Sequence, residues 1–156
     1  MPLFHFTDSR NLPSIRKHGL LSWKQLLHRG IQHWAASSED SRRYDARSQL
    51  EDYVRLCMSP NHPMAFRALY EGRIKDFVWL EISDAVIAWK STLFSSDNAV
   101  ANRTIINSDP RTALESDSPQ AEVLIQKRLD PRWISFPTAS DKTAPSNNRD
   151  DFDFPF

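Results

Sequence analysis

Apolar positions recur with a period of two in several short runs. The first is Leu3-Phe4-His5-Phe6-Thr7, which reads as a strand with Leu3, His5 and Thr7 on one face and Phe4 and Phe6 on the other. Asp52 to Met58 alternates in the same way, and Phe77-Val78-Trp79-Leu80-Glu81-Ile82 is the most convincing strand, with Val78, Leu80 and Ile82 on one face and a central place in a sheet. Trp133 to Phe136 is a candidate last strand. Helical spacing takes over from Asp8 to Lys17, with Asp8 or Asn11 as cap, Leu12 and Ile15 facing inward, cations in the last turn and Gly19 as the stop. A second helix is expected from Ser22 to His28, ended by Gly30, and a third from Pro63 to Tyr70, closed near Gly72. Ala85 to Trp89 fits a strand or a helical turn. Two polar stretches interrupt these elements. Trp34 to Gln49 reads as a loop with a helical turn or two, and within Ser95 to Pro119 only Thr104-Ile105-Ile106 looks ordered.

One run breaks the pattern. In Ser118-Pro119-Gln120-Ala121-Glu122-Val123-Leu124-Ile125 a lone carboxylate, Glu122, opens an apolar run that reads as a buried strand. Carboxylates are rarely buried unless paired or hydrogen-bonded. Glu122 therefore either faces solvent from an edge strand or points into a functional cleft.

Composition narrows the setting. A chain of 156 residues supports one domain, read here as residues 1–137, and the polar, Pro-containing stretch 138–156 is expected to be a flexible tail ending in three phenylalanines. Forty per cent of residues are apolar and 26% charged, as in ordinary globular proteins, and the net charge of zero removes the general field that draws phosphate binders to nucleic acid. Any nucleic-acid contact has to be local. A single cysteine, Cys57, excludes an internal disulfide and fits a reducing compartment. No apolar run reaches 18 residues and no signal-peptide pattern opens the chain, so the expectation is a cytoplasmic protein with no membrane contact.

Taken singly, the chemically active residues point nowhere specific. His5, His18, His28, His33 and His62 lack the spacing of a metal site, so no metal is expected. Cys57 on a strand reads as a small core residue rather than a nucleophile. Arg42-Arg43, with Arg47 nearby, is the densest cationic patch and fits either a diphosphate clamp or a solvated loop. Tyr53 and Tyr70 fit either a stacking platform or core packing.

Their order is more informative. The His5-x-Thr7 strand is followed by Asn11-Leu12-Pro13-Ser14-Ile15-Arg16-Lys17-His18-Gly19, then Arg42-Arg43, Asp52-Tyr53-Val54, Pro63-Met64 and Gln120-Ala121-Glu122. This succession, running from about residue 3 to 136, resembles the DarT family of ADP-ribosyltransferase toxins. The resemblance implies a single-domain α+β ADP-ribosyltransferase-like fold, a mixed sheet with flanking helices. It also implies an activity that consumes NAD, releases nicotinamide and transfers ADP-ribose to a base in single-stranded DNA. By the same resemblance Glu122 and Arg43 are catalytic, His5, Thr7, Arg42, Arg43 and Tyr53 hold NAD, and Asn98, Asn102 and Arg103 meet the acceptor. A cognate antitoxin with ADP-ribosyl hydrolase activity is the implied partner. An RNA or protein acceptor, or a module that binds NAD or nucleic acid without catalysis, is the alternative. The chain departs from the family pattern at Arg55-Leu56-Cys57-Met58, where the family often has Pro-Phe-Tyr-Phe, and the family often extends further past the last strand.

Overall fold

A computed structural model describes residues 1–35, 49–61, 63–74, 76–98 and 103–137. Strand β1 (Leu3–Asp8) leads through a 3-10 turn (Ser9–Asn11) into helix α1 (Leu12–His18), followed by β2 (Leu20–Leu21) and helix α2 (Trp23–Arg29). Then come β3 (Tyr53–Cys57), α3 (Pro63–Tyr70), β4 (Phe77–Ile82), a 3-10 turn (Asp84–Ala88), β5 (Leu93–Ser95) and β6 (Ile106–Asn107). Helix α4 (Arg111–Leu114), β7 (Glu122–Gln126), β8 (Arg128–Leu129), a further 3-10 turn (Pro131–Trp133) and β9 (Ile134–Ser135) complete the described chain. The expected α+β class holds. Seven strands form one sheet in the order β6-β5-β7-β3-β1-β4-β9, and each described pairing in it is antiparallel.

The local signals act largely where the sequence places them. The first helix is split, because the Asp8 carboxylate accepts from the Arg10 amide to cap the 3-10 turn while Pro13 marks the start of the α-helical part. Ser22 caps α2 by accepting from the Gln25 amide, and Gly30 ends it in the left-handed region. The centre of the sheet is β3, not β4. Six residues of β4 pair with β1, and its other side meets only the two residues of β9 among the described strands. The described residues between Ser95 and Pro119 are also more ordered than their polarity implies, since they include β6 and α4. Their short polar side chains bond the backbone: Asn107 accepts from the Asp109 amide, Asp109 from the Arg111 amide and Ser118 from the Gln120 amide.

Two apolar layers sandwich the sheet. On one face Leu3, Leu56, Leu80, Ile82, Phe94, Val123 and Ile125 pack with Ile15 and Leu20. On the other, Phe6, Phe77 and Trp79 pack with Phe66 and Ala68 of α3, the rings meeting edge to face. The two-stranded pair β2–β8 closes one end, and Gly19 is what lets it form. Gly19 has φ +81, and a Cβ there would stand 2.1 Å from the Leu129 carbonyl oxygen. Gly19→Ala should therefore lose at least about 3 kcal/mol of stability from backbone strain and overlap together. Urea denaturation measures this, and an unchanged midpoint contradicts it.

Candidate active site

Strands β1 and β3 share a single register pair, Phe4 with Cys57, in contrast to the six pairs between β1 and β4. Beyond that pair the contact passes to a side chain: the His5 Nδ1–H donates to the Arg55 carbonyl at 2.9 Å. A cleft of about 180 Å³ opens here, lined by His5, Phe6 and Thr7 from β1, Ser14 and Ile15 from α1, and Gly19 to Trp23. Leu26, His33 and Ala35, Tyr53 to Arg55, Cys57, Met64, Asn98 and Glu122 complete the lining.

Glu122 lies in this wall, on an interior strand. It stands opposite Cys57 of β3 and Ser95 of β5, so the edge-strand reading does not hold. It is only 4% exposed. Arg55 is its diagonal neighbour on the same face, because Arg55 pairs with Leu124 two residues along, and the Arg55 Nη1 approaches the Glu122 Oε2 to 4.0 Å. Cys57 is buried beside them. Burial pushes its thiol well above the usual range, the Glu122 charge adds to the shift and Arg55 opposes it. A protonated, enclosed thiol is no nucleophile.

The His-x-Thr strand is held from behind. Thr7, Asp8 and Asn11 are all buried. The Asn11 amide donates to Thr7 Oγ1 at 3.0 Å and to the Trp34 carbonyl at 2.9 Å, while its oxygen accepts from the Trp34 amide at 3.0 Å. Asp8 takes a two-pronged hydrogen bond from Arg10, whose guanidinium lies 4.8 Å over the Trp34 ring. These contacts clamp the segment that leads to Ala35 against β1. On the far side, the Asn98 amide donates to Gln120 Oε1 at 3.4 Å and the Ser118 hydroxyl donates to Asp97 at 2.9 Å. The approach to β7 is thereby tied to the residues preceding 99–102.

Of the expected site residues, His5, Thr7, Tyr53, Asn98 and Glu122 converge on the cleft. Arg103 is exposed, has φ +66 and does not line it. Arg42, Arg43, Arg47, Asn102 and His62 lie outside the described residues, as does the stretch 138–156. Tyr70 is neither core nor cleft, being 79% exposed. Among the described residues no three His, Cys, Asp or Glu side chains gather as a metal site would require, and no helix is long and apolar enough to cross a membrane. Sequence reasoning passed over Arg55 and Asn11. A cation at the same strand phase as Tyr53 and Cys57 was the available signal for Arg55; for Asn11 the signals were its cap-like position and its place at the head of the Asn11–Gly19 motif.

A family model described as DarT, the ssDNA thymidine ADP-ribosyltransferase, matches residues 4–117. The chain belongs to the DarT family. Glu122 lies just beyond the matched range. A DNA ADP-ribosyl transferase–DNA ADP-ribosyl glycohydrolase fusion protein of Thermosipho africanus is 25% identical over 170 residues, covering 93% of this chain and 44% of the relative. The chain thus spans less than half of that fusion protein. The fold is shared with solved DarT structures. Thermosipho africanus DarTG in complex with ADP-ribose superposes with a TM-score of 0.72 at 21% identity, covering 86% of this chain and 42% of that one. Thermus sp. 2.9 DarT in complex with ADP-ribosylated ssDNA gives 0.71 at 17% identity, covering 90% and 83%. The same Thermus protein in complex with NAD+ gives 0.63 at 18% identity, again covering 90% and 83%.

The cleft carries a pH signature of its own. Enclosure pulls the His5 imidazole below its ordinary 6.5, with the hydrogen bond to the Arg55 carbonyl working the other way. A depressed histidine resists protonation in the folded state, so stability is fullest above the unfolded value and falls as pH drops from there towards the folded value. His5→Asn, which keeps a donor for Arg55 but does not titrate, should flatten that part of the acid limb. Urea midpoints at pH 7.5 and at about pH 5 test this, and an equal loss in both proteins counts against it.

Proposed function

We propose that this chain is an NAD-consuming transferase that moves ADP-ribose onto a thymidine base in single-stranded DNA. The observation that carries this reading is the placement of Glu122, a buried carboxylate set into an interior strand that lines one cleft together with His5 and Thr7. Breaking the bond between nicotinamide nitrogen and ribose builds positive charge on the sugar, and a fixed carboxylate in a water-poor wall stabilises that charge as it develops. Within DNA a thymine has one ring N–H left to react. Its proton passes to Glu122, a new bond joins that nitrogen to the ribose carbon, and nicotinamide leaves neutral.

The other residues position the reactants. His5, neutral and donating through Nδ1 to Arg55, presents Nε2 as an acceptor suited to the nicotinamide amide. Thr7 Oγ1 already accepts from Asn11, which leaves its hydroxyl hydrogen to donate to NAD. Tyr53 offers a ring beside the sugar. Arg42 and Arg43 take the diphosphate, with Arg43 acting on the leaving bond by fixing the ribose. Asn98, Asn102 and the exposed Arg103 meet the acceptor strand, whose unpaired bases need no unstacking from a duplex. In the Thermosipho fusion protein a transferase is joined to a glycohydrolase by name. For this chain the matching partner is an antitoxin that removes ADP-ribose, with the transferase as toxin and the cytoplasm as its site.

Labelled NAD supplied with single-stranded oligonucleotides, RNA and cell extract in parallel decides the acceptor. Product should appear on thymine-containing DNA and be absent from thymine-free DNA. Glu122→Gln should lower transfer at least about 100-fold with the fold intact. Full activity of that variant overturns the assignment, and label on RNA or protein instead overturns the acceptor.

A further inference from the structure

Burial on an interior strand disfavours the charged form of a carboxylate, yet the proposed chemistry needs Glu122 ionised both to face the sugar and to take the proton. Among the described residues, the groups around it come from three strands and the segment after α2. From β3 come Arg55 and Cys57, with Tyr53 further along the same face; from β5 comes Ser95, which does not titrate; across the cleft lie His5 and His33. Cys57 holds its proton and His5 is neutral near pH 7. Arg55 is thus the guanidinium among the described residues of the cleft, 4.0 Å from the carboxylate and itself largely enclosed.

We propose that Arg55 is a positioning residue that keeps Glu122 ionised and turned along the cleft, a role this chain assigns to β3. Resting on the transferase reading, the inference deepens it: β3 supplies through a side chain the charge balance that the carboxylate of β7 requires. The strand register fixes the geometry. A diagonal pair on one sheet face lies within reach of long side chains, and Arg55 shares the face that holds Cys57 and Glu122.

The test reads ionisation directly and needs no NAD. In protein carrying 13C-labelled glutamate, the Glu122 carboxyl signal is identified by its loss in Glu122→Gln, then titrated. Arg55→Gln should raise its midpoint by at least about one pH unit, the lower end of the shift an opposite charge at this distance produces. Arg55→Lys should stay close to the wild type. Should the Gln variant fail to fold, Arg55→Met keeps the apolar stem and gives the same reading. Equal midpoints in wild type and Arg55→Gln overturn the proposal, as does a Lys variant that titrates like the Gln variant. In turnover, the acid limb of kcat/KM should move up with the midpoint. A tenfold rise in KM for NAD with an unmoved limb makes Arg55 a diphosphate ligand instead and also overturns it. If the wild type transfers nothing, the functional reading fails while the titration still decides the role of Arg55.

Discussion

A charge inside a sheet is the constraint around which this structure is arranged. β7 is flanked on both sides and buried from Glu122 to Ile125. Val123, Leu124 and Ile125 together contribute on the order of 5–9 kcal/mol of apolar burial. Removing a carboxylate from water costs several kcal/mol unless it is compensated. The strand tolerates Glu122 because the apolar run outweighs that cost and because Arg55 comes within 4.0 Å. A polar side chain in such a wall is costly for the fold and useful to a reaction that develops positive charge.

The same economy shapes the opposite wall. β1 pairs along its whole length with β4 and touches β3 at one register pair, which leaves the cleft open between them. Asn11 keeps that opening in shape. Its amide is fully engaged with Thr7 and with both backbone groups of Trp34, so the strand, the first helix and the segment after α2 meet at one buried side chain. Hydrogen bonds of this kind contribute about 1 kcal/mol each when made, and more is lost when one partner is left buried alone.

Much of this was legible in the residues, and the physical reasons for the rest are plain. Period-two runs located β1, β3 and β4, a continuous apolar run located β7, and the cap at Asp8 with the stops at Gly19 and Gly30 located the first two helices. Such local rules carry no information on strand order, which is why β4, the most apolar-looking strand, was expected at the centre that β3 occupies. β2 and β8 have two residues each and leave no periodic trace. The stretch from Ser95 to Pro119 looked irregular because its order comes from side-chain hydrogen bonds to backbone rather than from apolar spacing. For the site, His5, Thr7, Tyr53, Asn98 and Glu122 were found through their order along the chain, and the fold brings them to one cleft. Arg55 stood out only as a departure from the family pattern and received no role, because its meaning depends on a diagonal neighbour on another strand.

The most direct test of the central claim, that Glu122 faces the reacting sugar across the β1–β3 opening, is a structure of the Glu122→Gln variant with NAD bound. The nicotinamide–ribose end should lie in the cleft, with the residue 122 amide within hydrogen-bond reach of a ribose hydroxyl and His5 Nε2 against the carboxamide. An NAD molecule whose ribose lies away from residue 122, or outside this cleft, would contradict it.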